Sequence, residues 1–151
     1  MERSLVILKP DALQRGLLGT LIGRLEARGL KFVGLKLMQI DDTLARKHYE
    51  IHKDRPFFPS LVQFIQSGPV VVIAIEGQDV IETIRSTVGA TNPVKATPGT
   101  IRGDFAVSIG RNLIHASDTL ANGQTEVNNF FESNELLGSY QRDTDKWIFE
   151  A

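Results

Sequence analysis

The sequence predicts a sandwich of helices on a β-sheet, of the α+β or α/β class, folded as a single domain over residues 1–151. Short apolar, β-rich runs alternate along the chain with segments whose apolar residues recur at helical spacing. The run VVVIAI, residues 70–75, is the most β-branched of the chain, as expected of a central strand. These patterns leave open whether the sheet is doubly wound and parallel or ferredoxin-like and antiparallel.

The first half of the chain predicts three strands separated by helices. Pro10 ends the first strand, Gly29 ends the helix that carries Leu18 to Leu25, and Gly68 closes a short helical stripe. Asp42 or Thr43 can cap a helix that runs to about His52. The strands expected in this half are residues 4–9, 31–40 and 70–75.

The second half begins with a helix over residues 80–88, and its pattern then breaks. Residues 89–111 contain dense Gly and Pro turns and no convincing helix, with a short strand expected at 105–109. Connections of this length in a compact domain are generally functional. A short strand at Ile114, a helix through Val127 and Phe130, and an irregular tail over 138–151 complete the expected order.

Composition excludes several classes of protein. The chain has no cysteine, which excludes disulfides, zinc–thiolate sites and thiol nucleophiles. Its net charge of −1 provides no overall positive surface for nucleic acid or an anionic membrane, so phosphate binding would need a local cluster of cations. The first apolar stretch is too short for a signal peptide, and no run approaches the roughly 20 apolar residues of a membrane span. We therefore expect a cytoplasmic protein.

Any phosphate chemistry would depend on side chains rather than on a glycine-rich loop. The chain has no GxxxxGK[ST] motif, no GxGxxG spacing and no HRD–DFG pair. Lys9 ends the first strand, and Arg85, Arg102 and Arg111 lie in or beside the long connection. These four cations are candidate phosphate ligands. The alternative is that Arg85 and Arg111 pair with surface carboxylates.

The three histidines differ in context. His48 and His52, in HYEIH, have a spacing at which one helix face could bind a metal. The order is not HExxH and no third ligand is near in sequence, so two surface histidines are the favoured interpretation. His115, in NLIHASD, lies in a predicted buried strand. It is either a packing residue or a base or nucleophile that titrates near neutrality.

Several long motifs resemble the nucleoside diphosphate kinase family. NLIHASD, NPVKATPGTIRGDF, KPDALQRGL and HYEIHKDRPFFPSLVQFIQSGPVV stand in the family's order and span essentially the whole chain. The signature NxxH-x-SD is present as Asn112, His115, Ser117 and Asp118, with Ala116 where many members have glycine. The resemblance implies a ferredoxin-like, four-stranded antiparallel sheet covered by helices. It also implies ping-pong transfer of a γ-phosphoryl group, mainly from ATP, to nucleoside diphosphates through a phosphohistidine at His115.

The resemblance assigns catalytic roles to individual residues. His115 is implied as the nucleophile, and Glu126 as the carboxylate that fixes its tautomer. Ser117 matches the position that hydrogen-bonds this carboxylate, and Tyr49 matches a hydroxyl beside the transferred group. No protein ligand for a metal is implied, because Mg²⁺ would be held through the substrate phosphates.

The resemblance also assigns contacts to the nucleotide. Phe57 and Ile109 match positions that flank the base, and Asn112 and Lys9 match contacts to the ribose. Stacking does not discriminate among bases, so broad base and sugar specificity is expected. The implied phosphate contacts are Lys9, Arg85, Thr91 and Arg102.

The implied partners are nucleoside tri- and diphosphates and further copies of the chain. The family forms tetramers and hexamers, and the tail ending in DKWIFEA favours a homohexamer in which Trp147 and Phe149 pack across subunits. Packing within one subunit is the simpler alternative. An inactive nucleotide-binding module and a nucleic-acid-binding protein are the alternative functions. The presence of His115, Lys9 and Arg102 argues against the first, and the net charge argues against the second.

Overall fold

The computed structural model describes residues 1–150 and contains one four-stranded sheet in that range. The strand order is β2-β3-β1-β4, and every neighbouring pair is antiparallel. This is the ferredoxin-like arrangement, and it rules out the parallel sheet that the sequence pattern left open. The strands are β1 (Glu2–Leu8), β2 (Lys31–Met38), β3 (Val70–Gly77) and β4 (Ile114–Ala116).

Helices cover both faces of the sheet, which explains why β1 is a continuous apolar run. Leu5 and Ile7 pack against the helices of one face, and Val6 and Leu8 pack against those of the other. The first face is covered by α3 (Asp42–His48), α4 (Phe58–Ile65) and α7 (Leu120–Phe130). The second face is covered by α1 (Pro10–Gln14), α2 (Leu18–Ala27), α5 (Val80–Val88) and α6 (Ile101–Phe105). Over residues 1–150, no helix has both the length and the apolar character needed to cross a bilayer.

Two predictions about the long connection are wrong. It contains α6 and a 3₁₀ helix, Pro93–Lys95, where no helix was expected. The side chains of Asn92 and Thr100 cap their N-termini, but such short helices give no apolar stripe in the sequence. The expected strand at 105–109 is absent, because Phe105 ends α6 and only an isolated bridge joins Ser108 to Arg111.

Three other boundaries also differ from the prediction. The helix expected to reach His52 divides into α3 and a separate 3₁₀ helix, Glu50–His52. Pro10 ends β1 as expected but also begins α1, where its fixed φ suits the first helical position. The tail, expected to be irregular, contains the short helix α8 (Asp145–Ile148).

A glycine allows α7 to lie directly on the sheet. A Cβ on Gly123 would stand 2.3 Å from the carbonyl oxygen of Arg3 in β1. Only glycine permits this approach without displacing backbone. Because α7 lies this close to the sheet at Gly123, Glu126, one turn further along the helix, is brought close to β4.

Candidate active site

The imidazole of His115 is held by a chain of hydrogen bonds. β4 places His115 opposite Ile7 of β1, and its Nε2 lies 2.9 Å from Oε1 of Glu126 on α7. The hydroxyl of Ser117 donates to the same carboxylate oxygen at 2.7 Å and accepts from the backbone N–H of Leu5 at 2.9 Å. Because the carboxylate accepts the hydrogen bond from Nε2–H, it favours the tautomer whose lone pair is on Nδ1.

Glu126 remains ionised at neutral pH. Burial raises the pKa of its carboxyl group, but the hydrogen bonds from His115 and Ser117, together with the charge of His115, lower it by more. The resulting pKa of Glu126 lies below its ordinary value of 4.5. The carboxylate is therefore an acceptor throughout the neutral range.

His48 is not the surface residue that the sequence suggested. Its ring packs edge to face on His115, with the ring centroids 4.6 Å apart, and also contacts Phe130 at 5.4 Å. It points inward because α3 covers the same face of the sheet as α7. Burial, together with the proximity of His115, lowers the pKa of His48 to about 3, so the ring is neutral. Its Nδ1 is buried, and no group within residues 1–150 hydrogen-bonds it.

Tyr49 directly follows α3 and lies beside His48. Its ring centroid lies 4.7 Å from that of His48. Burial and the charge of Glu126 raise the pKa of Tyr49 to about 12, so the hydroxyl keeps its proton and can act as a donor. The ring of His52 contacts Phe57, with the two centroids 5.4 Å apart, and His52 is still close enough to act electrostatically on His48. The two histidines of HYEIH therefore make different ring contacts.

Four cations lie near one another without carboxylate partners. The charges of Arg102 and Arg111 act on Lys9, and the charge of Arg85 acts on Arg102. None of the four takes part in any salt bridge formed within residues 1–150. The alternative in which Arg85 and Arg111 pair with surface carboxylates is therefore wrong. Unpaired cations at one place create a local positive potential, of the kind that attracts anions, in a chain of net charge −1.

Lys9 is the most strongly perturbed of these cations. Its Nζ donates a hydrogen bond to Oδ1 of Asn112. Burial lowers the pKa of Lys9, the carboxylate of Asp11 raises it, and the charges of Arg102 and Arg111 lower it again. The outcome is a pKa of about 8, against an ordinary value of 10.5. Lys9 is thus protonated at pH 7 and close to losing its charge.

Arg102 is buried, with 7% of its surface exposed, and it holds three backbone segments together. Its guanidinium donates to the carbonyl oxygens of Gly89 at 3.1 Å, Asn112 at 3.2 Å and Ile114. These contacts fix the end of α5 and the start of β4 against α6. Burial and the charge of Arg85 lower the pKa of Arg102 to about 10, and it stays protonated at neutral pH. Three of its five N–H donors are engaged, which leaves two for an anion.

Asn112 connects the lysine to the long connection. It is buried, and its side-chain amide donates to the carbonyl oxygen of Thr91 at 3.0 Å while its Oδ1 accepts from Lys9. Thr91 itself is exposed at the surface of the connection. Arg85, also exposed, donates to the carbonyl oxygen of Ala116 beside His115 at 3.2 Å. The structure thus brings Lys9, Arg85, Arg102, Asn112 and Thr91 around β4.

Phe57 and Ile109 are both exposed, at 47% and 59% of their surface. Phe57 is the residue before α4, and the guanidinium of Arg111 lies 4.0 Å from the ring centroid of Phe64 in that helix. This contact holds the segment that carries Ile109 against α4. Two exposed apolar side chains on adjoining segments can accept a flat ring, because a base needs only apolar faces on which to stack.

Sequence reasoning missed one more feature, a strained turn before β4. Leu113, two residues before His115, has φ of +74°, which is unfavourable for a branched side chain. It is fully buried; its N–H donates to Oδ2 of Asp11 at 3.0 Å, and its carbonyl oxygen accepts from the N–H of Lys9 at 2.9 Å. Backbone strain of this kind persists only where surrounding contacts enforce it, and it clusters at active sites. In the sequence KPD, Asp11 is recognisable only as an acidic residue that could begin a helix. Its hydrogen bond with Leu113 is visible only in the structure.

Comparisons with known proteins agree over the length of the chain. The family model described as nucleoside diphosphate kinase matches residues 2–136. Nucleoside diphosphate kinases of Herpetosiphon aurantiacus and Roseiflexus castenholzii are each 65% identical to this chain over 150 residues, covering 99% of the chain and 100% of the relative.

Solved structures show the same fold. A halophilic nucleoside diphosphate kinase from Halobacterium salinarum in complex with CDP has a TM-score of 0.95 at 47% identity, covering 99% of both chains. A nucleoside diphosphate kinase family protein from Babesia bovis also has a TM-score of 0.95, at 39% identity, covering 99% of this chain and all of its own.

Proposed function

The chain belongs to the nucleoside diphosphate kinase family, and on that premise we propose that His115 carries the phosphoryl group between nucleotides. The chain is an enzyme that transfers phosphoryl groups from nucleoside triphosphates to nucleoside diphosphates. The assignment to His115 is supported by one observation, the hydrogen-bond chain from Ser117 through Glu126 to Nε2 of His115. An inactive module has no need of a buried carboxylate that fixes a tautomer.

The proposed reaction has two displacement steps. The lone pair on Nδ1 of His115 attacks the γ-phosphorus, the bond to the bridging oxygen breaks, and the nucleoside diphosphate leaves with that electron pair. The ring becomes positively charged, and the carboxylate of Glu126, 2.9 Å from Nε2, stabilises this charge. A second diphosphate then attacks the phosphorus through its terminal oxygen and returns the lone pair to Nδ1.

The cations supply positioning and charge stabilisation, which is most of what phosphoryl transfer requires from a protein. We propose that Lys9, Arg85, Thr91 and Arg102 bind the phosphates. Burial is the main cause of the lowered pKa of Lys9, and a bound anion would relieve the repulsion from Arg102 and Arg111 that adds to it. A single cation about 4 Å from a phosphate charge contributes on the order of 4 kcal/mol before desolvation, at an effective dielectric constant of 20. The hydroxyl of Tyr49 is a neutral donor on a ring that packs against His48 and is close enough to Glu126 for that charge to act on it.

Mg²⁺ is proposed to arrive with the nucleotide. Only one group of three potential ligands occurs within residues 1–150, and two of its members are imidazoles, which do not suit Mg²⁺. The chain therefore fits a role in which the phosphates provide the oxygen ligands of the ion. When bound, the ion neutralises charge on the phosphate oxygens.

Broad specificity follows from how the nucleoside would be bound. Phe57 and Ile109 are proposed to flank the base, and Asn112 and Lys9 to contact the ribose. Stacking tolerates every base, so both purine and pyrimidine nucleotides, with ribose or deoxyribose, are the expected substrates.

Steady-state kinetics test the proposed assignment. With ATP and a second nucleoside diphosphate varied together, a covalent intermediate predicts parallel double-reciprocal lines. His115→Gln should abolish the transfer, and Glu126→Gln should lower kcat by about 10²- to 10⁴-fold because the tautomer is no longer fixed. His52→Gln, a change in a histidine outside this chain of hydrogen bonds, should keep the parallel pattern. Intersecting lines, or transfer that survives in His115→Gln, would rule out the assignment.

We also propose that the chain forms a homohexamer. Trp147 is 82% exposed and Phe149 is 42% exposed, and such large apolar side chains are commonly covered by another subunit. The alternative of packing within one subunit does not occur for Trp147 in the described part of the chain. Light scattering should give the mass of six chains of 16.7 kDa, whereas a mass of one or two chains would contradict the proposal. The cytoplasmic location stays a prediction.

A further inference from the structure

His48, His115 and Glu126 form a cluster that phosphoryl transfer does not fully explain. One potential ligand atom from each side chain lies within 4.8 Å of the other two. The Nδ1 of His48 is buried and has no hydrogen-bond partner in the described range, 1–150. Native proteins rarely leave such an atom unpaired, and a bound ion is one of the usual reasons. The HYEIH spacing suggested a metal site that lacked a third ligand. The fold places two further potential ligands, His115 of β4 and Glu126 of α7, beside His48.

The cluster has the ligand types and dimensions of a zinc site. Two imidazole nitrogens and one carboxylate oxygen are a common ligand set for Zn²⁺ with an open fourth position. At bond lengths near 2.1 Å, the ligand atoms of a tetrahedral ion lie roughly 3.4 Å apart. The 2.9 Å between Nε2 of His115 and Oε1 of Glu126 is already close to this separation. Since the ligand atoms lie within 4.8 Å of one another, the nitrogen of His48 needs an inward movement of up to about 1.4 Å to reach this separation.

We propose that His48, His115 and Glu126 bind one Zn²⁺ ion, and that this ion inhibits the enzyme by reversing the tautomer of His115. The ion takes the lone pair of Nε2 beside Glu126. The proton that stood on Nε2 is then carried by Nδ1, so the ring stays neutral. Nδ1 has no lone pair left with which to attack phosphorus. Metal binding is independent of the proposed function, whereas inhibition rests on it.

The ligand set selects the metal. Imidazole nitrogens favour Zn²⁺ and Co²⁺, whereas Mg²⁺ prefers oxygen ligands and keeps its water. The positive charge of Lys9 lies close enough to act on His48 and weakens the binding of any cation. Zn²⁺ should therefore bind in the presence of excess Mg²⁺, without the very high affinity of a structural zinc site.

Cobalt titration tests the site without any nucleotide. Chelator-treated protein is titrated with Co²⁺, whose visible absorption reports a nitrogen- and oxygen-ligated site. We expect one Co²⁺ per chain, displaced by Zn²⁺ and not by excess Mg²⁺. His48→Gln should weaken binding by at least the 10- to 100-fold that loss of an outer-shell partner causes. His52→Gln is the matched control: its charge acts on His48, so its removal should not weaken binding relative to the wild type. Equal affinity in wild type and His48→Gln, or no absorption at all, would overturn the site.

Phosphorylation by Mg-ATP tests the inhibition separately. Wild-type protein saturated with Zn²⁺ should take up no phosphoryl group, and a zinc-selective chelator should restore the uptake. Unchanged phosphorylation of the zinc-bound protein would overturn the tautomer switch. If the metal-free wild type took up no phosphoryl group, the proposed function would fail, while the cobalt titration would still decide the metal site.

Discussion

The lowered pKa of Lys9 predicts that the enzyme loses activity as pH rises through 8. Burial and the charges of Arg102 and Arg111 outweigh the opposing effect of Asp11, and the pKa of Lys9 falls to about 8 in the free enzyme. A neutral Lys9 would not attract the phosphates that we propose it binds. Because kcat/KM reports the free enzyme, its alkaline limb should have a midpoint near pH 8.

The expected size of the effect follows from this pKa. At pH 9 only about one enzyme molecule in eleven carries a protonated Lys9, so kcat/KM should fall roughly tenfold from its value at pH 7. A lysine with the ordinary pKa of 10.5 would lose only a few per cent at pH 9. A bound polyphosphate raises the pKa of Lys9 again, and kcat should therefore decline only at higher pH.

The assay is kcat/KM for ATP from pH 6.5 to 10, with adenine nucleotides because adenine loses no ring proton in this range. Lys9→Arg is the matched control, since guanidinium stays charged throughout, and its profile should be flat near pH 8 whatever its absolute rate. An alkaline limb near 10.5 in the wild type, or an unchanged limb near 8 in Lys9→Arg, would show that Lys9 is not the group whose lost charge lowers activity.

Three further predictions concern the residues that support His115. In chelator-containing buffer, the free energy of unfolding of the wild type should fall by about 2 kcal/mol more than that of His48→Phe when the pH is lowered from 8 to 5. The reason is that His48 has a pKa of about 3 in the folded state and 6.5 in the unfolded state, so at pH 5 it takes up its proton only on unfolding. The control is Val62→Ala, a core change without an ionisable group. It should keep the wild-type pH dependence in urea titrations. Ser117→Ala should cost about 1–3 kcal/mol in the same titrations, because the N–H of Leu5 loses its buried acceptor; no loss would show that this bond is dispensable. Asp11→Ala should cost a similar amount by freeing the N–H of Leu113, while Asp11→Asn, which keeps an acceptor, should recover most of it.

The sequence pattern was sufficient to predict a helix or strand where local apolar periodicity alone determines the conformation. The strand at 70–75 and the helix over 80–88 follow from local apolar periodicity, and both are present in the structure as β3 and α5. The short helices of the long connection were missed because Asn92 and Thr100 cap helices of only one turn or slightly more. The antiparallel topology also needed the resemblance, because alternation of strands and helices fits parallel sheets equally well.

The candidate site also contains some residues that could be predicted from the sequence and others that could not. His115 and Lys9 lie in the motifs and Glu126 came from the family resemblance; the contacts of all three can be read directly from the structure. The position of His48 could not be predicted, because whether a histidine at the end of α3 faces inward depends on how that helix packs across the sheet. The strained φ of Leu113 likewise depends on hydrogen bonds to residues about a hundred positions away.

The most direct test of the proposed mechanism is whether His115 becomes covalently phosphorylated. Protein mixed with Mg-ATP and no acceptor is analysed by intact mass and then by peptide mapping under non-acidic conditions. One acid-labile phosphoryl group on His115, removed by adding a nucleoside diphosphate and absent from His115→Ala, is the predicted result. A protein that binds ATP but gains no phosphoryl group, or gains it on another residue, would contradict the central claim.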